Sequence, residues 1–288
     1  MTGDELDDLL DVALEAAAAG AATALAWLHK RDVLKVEQKS GPSDLVSQAD
    51  RDTEGTIRAV LTRRRPQDTI MGEEGGLGEE GGAHGYREGD VVWVVDPVDG
   101  TTNYLYGLDA WAVSIAAVRT GPPGSHADAP AYGEVLVGVV VEPMTGRTTR
   151  ARQGGGTWTE TRPCAVRAGT GLAEALVEVG LGHGPDRRFA GPLVGALTPR
   201  VRDVRRGGSA VTALAMVATG RADGYWGPTV RVWDVAAGVL LVREAGGVVG
   251  DLSGPHRGPG TPPSGQLLAS SPELFTPLRE LIAPVYAD

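Results

Sequence analysis

Cysteine is nearly missing from this chain: Cys164 is the single one in 288 residues. An internal disulfide is therefore excluded, and a reducing cytoplasm is the expected compartment. Positive charge is also scarce, with 27 Lys and Arg against 37 Asp and Glu and a formal net charge of −10. A chain of that sign is not expected to bind nucleic-acid phosphates as its main activity. No secretory leader is expected, because Asp4, Glu5, Asp7 and Asp8 stand where a basic leader's positive charges would be. The most apolar helical stretch, residues 16–28, is rich in Ala and follows Asp11 and Glu15, so it reads as too weakly apolar to span a membrane. The five histidines, His29, His84, His126, His183 and His256, have no HxxxH-like spacing, which argues against a zinc enzyme.

What is present fits a globular protein: 42% apolar and 22% charged residues, and enough length for one large α/β domain or two closely packed halves. The halves expected are 1–150 and 151–288, forming one compact unit, since no long linker or internal repeat separates them. Apolar residues recur every three to four positions over 4–29, which predicts a helix whose small Ala face packs closely on another helix. Residues 31–42 are polar and read as a strand or loop arm carrying Lys39, which suits either solvent or the rim of a site. Ser47 opens a second helix, with Ser47 and Asp50 spaced as a capping box. That helix closes at Arg63-Arg64-Arg65, where cations suit its C-terminus. Runs at 111–119 and 133–142 predict paired antiparallel strands, joined by a Pro- and Gly-rich loop over 121–131. Gly154-Gly155-Gly156 marks a hairpin between 147–152 and 156–161. Helices follow at 207–219 and 233–245, and Ser271-Pro272 opens a last one.

The most informative stretch is Val91-Val92-Trp93-Val94-Val95-Asp96-Pro97-Val98-Asp99-Gly100-Thr101-Thr102-Asn103. Five apolar residues predict a strand buried on both faces, which then delivers two carboxylates across a Pro turn. Carboxylates at such a place are costly unless a cation neutralises them, and hard Mg²⁺ prefers oxygen ligands. Gly100 allows backbone N–H groups to approach an anion closely, and Thr101 adds a hydroxyl. Glu73 follows the short apolar segment Ile70-Met71 and so takes a place like that of Asp96, whereas Glu79, Glu80 and Glu88 read as a solvated acidic loop. Gly208 and Ser209 lie at a helix start, where unpaired N–H groups can meet an anion or a hydroxyl. Asp44 reads as a turn residue and Glu74 as solvent-facing or as a support for the site.

Asp96-Pro97-Val98-Asp99-Gly100-Thr101-Thr102-Asn103 resembles the central signature of the inositol monophosphatase family, lithium-sensitive Mg²⁺-dependent phosphomonoesterases. Gly72-Glu73-Glu74, Trp233-Asp234-Val235-Ala236-Ala237-Gly238 and the stretch from Lys39 through Asp50 are similar to further family elements, in the same order. The resemblance implies an αβαβα layered sandwich of the sugar-phosphatase type, a homodimer and two or three Mg²⁺ ions. By the same likeness, Glu73, Asp96 and the Val98 carbonyl match a first metal site. Asp96, Asp99 and Asp234 match a second, and Glu73 also matches a ligand of a third, weaker ion. Thr101 and Asp50 match the pair that orients or deprotonates the attacking water, with Glu73 beside them. Asp99, Gly100, Thr101, Gly208, Ser209, Arg231 and Asp234 are the expected substrate contacts. Attack by water needs no cysteine nucleophile and no nucleophile elbow. Asp50 also fits a plain helix cap, Asp234 a favourable charge at a helix N-terminus, and Arg231 an exposed arginine.

One departure concerns the alcohol. Inositol-selective relatives carry a Glu seven residues before the position of Asp234, and here that position is Gly227. The wall opposite the metals is thus expected to be wider and less able to accept hydroxyl hydrogen bonds, with Trp226 beside it for packing or stacking. The expected substrate is a small phosphorylated metabolite such as an inositol monophosphate or a sugar phosphate. Histidinol phosphate and a nucleotide or sugar bisphosphate are alternatives. A regulatory protein that keeps the fold without catalysis is the rival from another class.

Overall fold

The computed structural model describes residues 1–30, 36–41, 44–76, 87–121, 133–182, 184–258, 260–262 and 264–287. Helix α1 (Gly3–Leu28) starts at a capping box in which Glu5 accepts from the Thr2 N–H at 2.7 Å. Its buried stripe of Leu6, Leu9, Leu10, Ala13, Ala16, Ala17 and Ala21 packs on α2 (Gln48–Arg64) and on the first sheet. Gly20 brings the two helices close, since a Cβ there would lie 2.7 Å from Ile57. The reading of this stretch as too weakly apolar for a membrane needs correcting. By length and composition α1 can cross one, with a mean hydropathy of 1.5 over its best 18 residues. Half of that window is buried inside the protein, because the alanines that raise its hydropathy are the ones that let α2 approach.

The antiparallel pair β1 (Val36–Gly41) and β2 (Asp44–Ser47) leads into α2. Seven strands then form the first sheet in chain order: β3 (Thr69–Gly72), β4 (Val91–Asp99), β5 (Ala112–Arg119), β6 (Glu134–Glu142), β7 (Arg147–Arg152), β8 (Thr157–Thr159) and β9 (Arg162–Cys164). The β3–β4 pair is parallel and the others are antiparallel. In β4 the side chains alternate between two cores. Trp93 and Val95 face α1 and α2, while Val92 and Val94 face the opposite way. Most of the expected 121–131 loop and residues 77–86 lie outside the described residues.

The second sheet holds β10 (Leu176–Val179), β11 (Asp203–Arg205), β12 (Gly224–Gly227), β13 (Val248–Asp251), β14 (Gly254–Pro255) and β15 (Leu267–Ser270). Its spatial order is β11-β10-β12-β15-β13-β14. Between the sheets lie α5 (Ala210–Ala218) and α6 (Val232–Glu244), whose apolar residues share one core with Val92, Val94, Tyr225 and Ala269. The outer face of the second sheet is covered by α4 (Ala190–Leu197) and α7 (Pro272–Ile282), around Val177, Trp226 and Leu268. The result is the five-layered αβαβα sandwich. A short α3 (Thr101–Tyr106) caps one end of β4, held by the Tyr104 hydroxyl donating to Ala24 O at 2.7 Å.

The central helices touch the first sheet at backbone distance. A Cβ on Gly138 of β6 would lie 2.8 Å from Ala237 O and 3.0 Å from Ala237 Cα, atoms that cannot rotate away. Gly138→Ala is therefore expected to cost about 1–3 kcal/mol of stability, from overpacking at a rigid contact. Urea unfolding followed by tryptophan fluorescence checks this, and an unchanged midpoint would contradict it.

Candidate active site

In a regular strand, Asp96 and Asp99 would point to opposite faces, because they are three residues apart. Pro97 has no N–H to give the ladder, and the register slips: Asp96 pairs with Ser114 while Asp99 pairs with Ala112. Three steps on β4 against two on β5 make a bulge, which brings both carboxylates to one side. The Val98 N–H, freed from the ladder, donates to Asp96 Oδ1 at 3.0 Å. Gly100 then turns the chain into α3 with φ of 100°, where any side chain would be strained. A Cβ there would also lie 3.0 Å from Ala110 O.

The other acids arrive from separate elements. Parallel pairing sets Gly72 beside Val95, and the Glu73 N–H donates to Val95 O at 3.1 Å, so Glu73 follows β3 at the level of Asp96. Asp96 is hydrogen-bonded to Glu73. Asp234 sits in the first turn of α6 and accepts the Arg231 N–H at 2.8 Å. Asp99 Oδ2 accepts from the Ser209 hydroxyl and the Val211 N–H, both at 2.6 Å, at the start of α5. Burial, then the charges of Glu73, Asp99 and Asp234, push Asp96 well above the usual carboxylate range. Burial, then Asp99 and Glu73, do the same to Asp234. Asp99 is pushed up to about 6, chiefly by burial and against the pull of its donors.

Asp50 divides its oxygens between two tasks. Oδ2 accepts from the Ser47 N–H at 2.8 Å and its hydroxyl at 2.5 Å, which caps α2. Oδ1 accepts from the Thr101 hydroxyl at 3.2 Å. Cap and partner of Thr101 are thus both its roles. The Thr101 hydroxyl also lies 3.2 Å from Val98 O, and its one proton serves one acceptor at a time. Burial first, opposed by the Ser47 hydrogen bonds, raises Asp50 above the ordinary range.

Glu73, Asp96, Asp99 and Asp234 are thus within electrostatic range of one another. No three His, Cys, Asp or Glu side chains among the described residues already converge as an ion's ligand set. The donor set nonetheless suits a hard cation, since all four groups are oxygen acids and Asp96 and Asp99 have no ion pair with Lys or Arg among the described residues.

Ser209 is the N-cap of α5 and its hydroxyl donates to Asp99 Oδ2, while Gly208 before it takes a φ of 93°. Arg231 is the N-cap residue of α6 and is exposed, so its backbone rather than its side chain is fixed at the site. The wider wall expected at Gly227 is not found. Gly227 is buried, and a Cβ there would lie 2.6 Å from Tyr225 Oη and 2.7 Å from Val230, so neighbours already fill the space. The side chains of Lys39 and Asp44, and residues His84, His126 and His183, lie outside the described residues.

Two residues were not picked out from sequence. Glu54 is buried and accepts the Glu74 and Gly75 N–H groups at 2.8 and 3.0 Å while pairing with Arg58 at 2.7 Å, so it holds the turn that presents Glu73. Its signal was the four-residue spacing from Asp50, which places both acids on one helix face. Asn103 donates to Ala110 O at 2.5 Å and Gly207 O at 2.7 Å, joining α3 to the loop before α5.

The chain matches the model of the inositol monophosphatase family over residues 5–284. It is 38% identical over 248 residues to an inositol-1-monophosphatase of Rhizobium meliloti, covering 84% of each chain. It is 34% identical to a Nus factor SuhB of Pseudomonas aeruginosa, covering 97% of each. The crystal structure of the extragenic suppressor protein suhB from Bartonella henselae superposes with a TM-score of 0.82 at 31% identity, covering 95% of this chain and 98% of that one. The family match and these relatives mark the chain as a phosphoric monoester hydrolase. More narrowly, the chain belongs to the inositol monophosphatase family.

Two outcomes follow from this geometry. An unfolded Asp titrates near 3.8 and folded Asp99 near 6, so between those values the folded, metal-free chain holds a proton that the unfolded chain has lost. Its stability therefore falls as pH rises through that window and stays low above it. In EDTA, Tm should drop from about pH 4 to about pH 7, and Mg²⁺ should raise Tm more at the higher pH; equal Mg²⁺ effects at both would contradict this. Glu54→Gln should weaken Mg²⁺ binding by about 10-fold or more in calorimetry, as a lost support for a ligand does. Unchanged affinity would show that Glu54 does not position Glu73.

Proposed function

We propose that the chain hydrolyses a small phosphomonoester with Mg²⁺, by direct attack of water and without a phosphoenzyme. The observation that carries this reading is the Thr101 hydroxyl on Asp50 Oδ1, set beside the bulge that turns Asp96 and Asp99 to one side. Glu73, Asp96, Asp99, Asp234 and the Val98 carbonyl would hold two or three Mg²⁺ ions, which when bound supply Lewis-acid activation of water and neutralise phosphoryl charge. Asp50, with its pKa raised, is suited to take a proton through Thr101, whose hydroxyl relays it while its lone pairs orient the water. The first-turn N–H groups of α3, opened by Gly100, have no carbonyl one turn back in the helix and can face phosphate oxygens.

Inositol monophosphates or a sugar phosphate are the substrates this reading favours, with histidinol phosphate and bisphosphorylated sugars or nucleotides as alternatives. It places the enzyme in the cytoplasm as a lithium-sensitive homodimer. A regulatory role is the second reading, favoured by the near-full-length likeness to proteins named Nus factor SuhB. Against it as the sole role stands buried Asp50, which after capping α2 through Oδ2 still gives Oδ1 to the half-buried Thr101 hydroxyl.

Asp96→Asn is expected to abolish Mg²⁺-dependent phosphate release while leaving the folded spectrum intact. Thr101→Ala should lower kcat by about 10²–10⁴-fold with much smaller change in Mg²⁺ affinity, because the hydroxyl acts on the attacking water. Orthophosphate release from inositol 1-phosphate across Mg²⁺ concentrations measures both. A Thr101→Ala enzyme that keeps its rate but loses metal would overturn the assignment.

A further inference from the structure

Tyr225 lies on β12 opposite Glu178 of β10, in parallel register, with only 3% of its surface exposed. Among the described residues its hydroxyl has no hydrogen-bond partner. Nor is that oxygen among the buried polar atoms sealed away from open space. Burial and the nearby charges of Asp99 and Asp234 hold the phenol well above its ordinary range, so it stays a hydrogen-bond donor at neutral pH. The room it occupies exists because residue 227 is glycine: a Cβ there would stand 2.6 Å from Oη and 3.1 Å from Cζ. Glu178, the neighbour across the strands, accepts the Gly207 N–H at 3.0 Å and fixes the loop before α5. Arg206, on that loop, is an exposed cation whose charge also reaches Tyr225.

A buried hydroxyl without a protein partner, bordering open space beside the acids, is a group waiting for a ligand atom. The acids and the start of α3 account for the phosphate side of a monoester. Tyr225 belongs to a different strand and faces what remains, the leaving alcohol. We propose that the Tyr225 hydroxyl donates a hydrogen bond to a hydroxyl carried by the leaving alcohol next to the ester, making it a specificity-determining residue for polyol monophosphates. This rests on the phosphomonoesterase reading above. Gly227 is its structural partner, keeping the phenol in place by having no side chain.

The test compares glycerol 2-phosphate, whose alcohol carries neighbouring hydroxyls, with p-nitrophenyl phosphate, whose alcohol carries none. Steady-state kcat and KM are measured for the wild type, Tyr225→Phe and Gly227→Ala at saturating Mg²⁺. Tyr225→Phe preserves the packing and should lose about tenfold more kcat/KM on glycerol 2-phosphate than on p-nitrophenyl phosphate, mostly in KM, as one lost hydrogen bond to a substrate hydroxyl predicts. Gly227→Ala, which displaces the hydroxyl without removing it, should shift the ratio of the two esters in the same direction. Equal losses on both esters, or none, would overturn the role of Tyr225 while leaving the hydrolase reading standing. A wild type that releases phosphate from neither ester would overturn the hydrolase reading and this inference with it.

Discussion

Everything in this structure is arranged around keeping like charges together. Glu73 follows β3, Asp96 and Asp99 lie on β4 and Asp234 on α6, and the charges of Glu73, Asp99 and Asp234 all raise the cost of ionising Asp96. Donors set the geometry without cancelling the charge: a serine hydroxyl and helix-start N–H groups for Asp99, and one backbone N–H for Asp234. Such an arrangement is a poor way to stabilise a fold and a good way to attract a hard cation.

The layers exist to hold those acids still. β4 is buried on both faces between the helices of two cores, and Val98 within its bulge packs with Ala24 of α1, Ala49 of α2 and Tyr104 of α3. α5 and α6 run between two sheets, and the first turn of each binds an acid, Asp99 at α5 and Asp234 within α6. Behind the Glu73 turn, Glu54 and Arg58 continue the Asp50 face of α2, one helical turn at a time. A polar row along that one face of α2 thus ties the Asp50–Thr101 pair to the turn that presents Glu73.

Much of this was legible in the sequence where the chemistry is contiguous. Asp96 through Asn103 carry bulge, turn and hydroxyl within eight residues, and a buried run of Val and Trp before them can be little else than an interior strand. Asp50, one turn into a helix that Ser47 opens, was legible for the same reason. What was not legible depends on contacts between distant residues. Glu178 and Tyr225 meet only because β10 and β12 pair in parallel. Gly227 taken alone suggests an enlarged pocket, whereas the fold moves the Tyr225 hydroxyl and Val230 into that volume. The Ala-rich helix α1 was read as less apolar than it is; by length and composition it can cross a membrane, while its alanines pack against α2.

The claim at the centre is that the acid cluster is a Mg²⁺ site serving phosphate-ester hydrolysis. Its most direct measurement is a Mg²⁺ titration of the EDTA-dialysed protein, following heat of binding and orthophosphate release from inositol 1-phosphate on the same preparation. The account predicts no release without Mg²⁺ and a rate that rises along the binding curve to saturation. Release that ignores Mg²⁺, or Mg²⁺ binding with no hydrolysis of inositol 1-phosphate or of the sugar, histidinol and nucleotide phosphates tried after it, would contradict it.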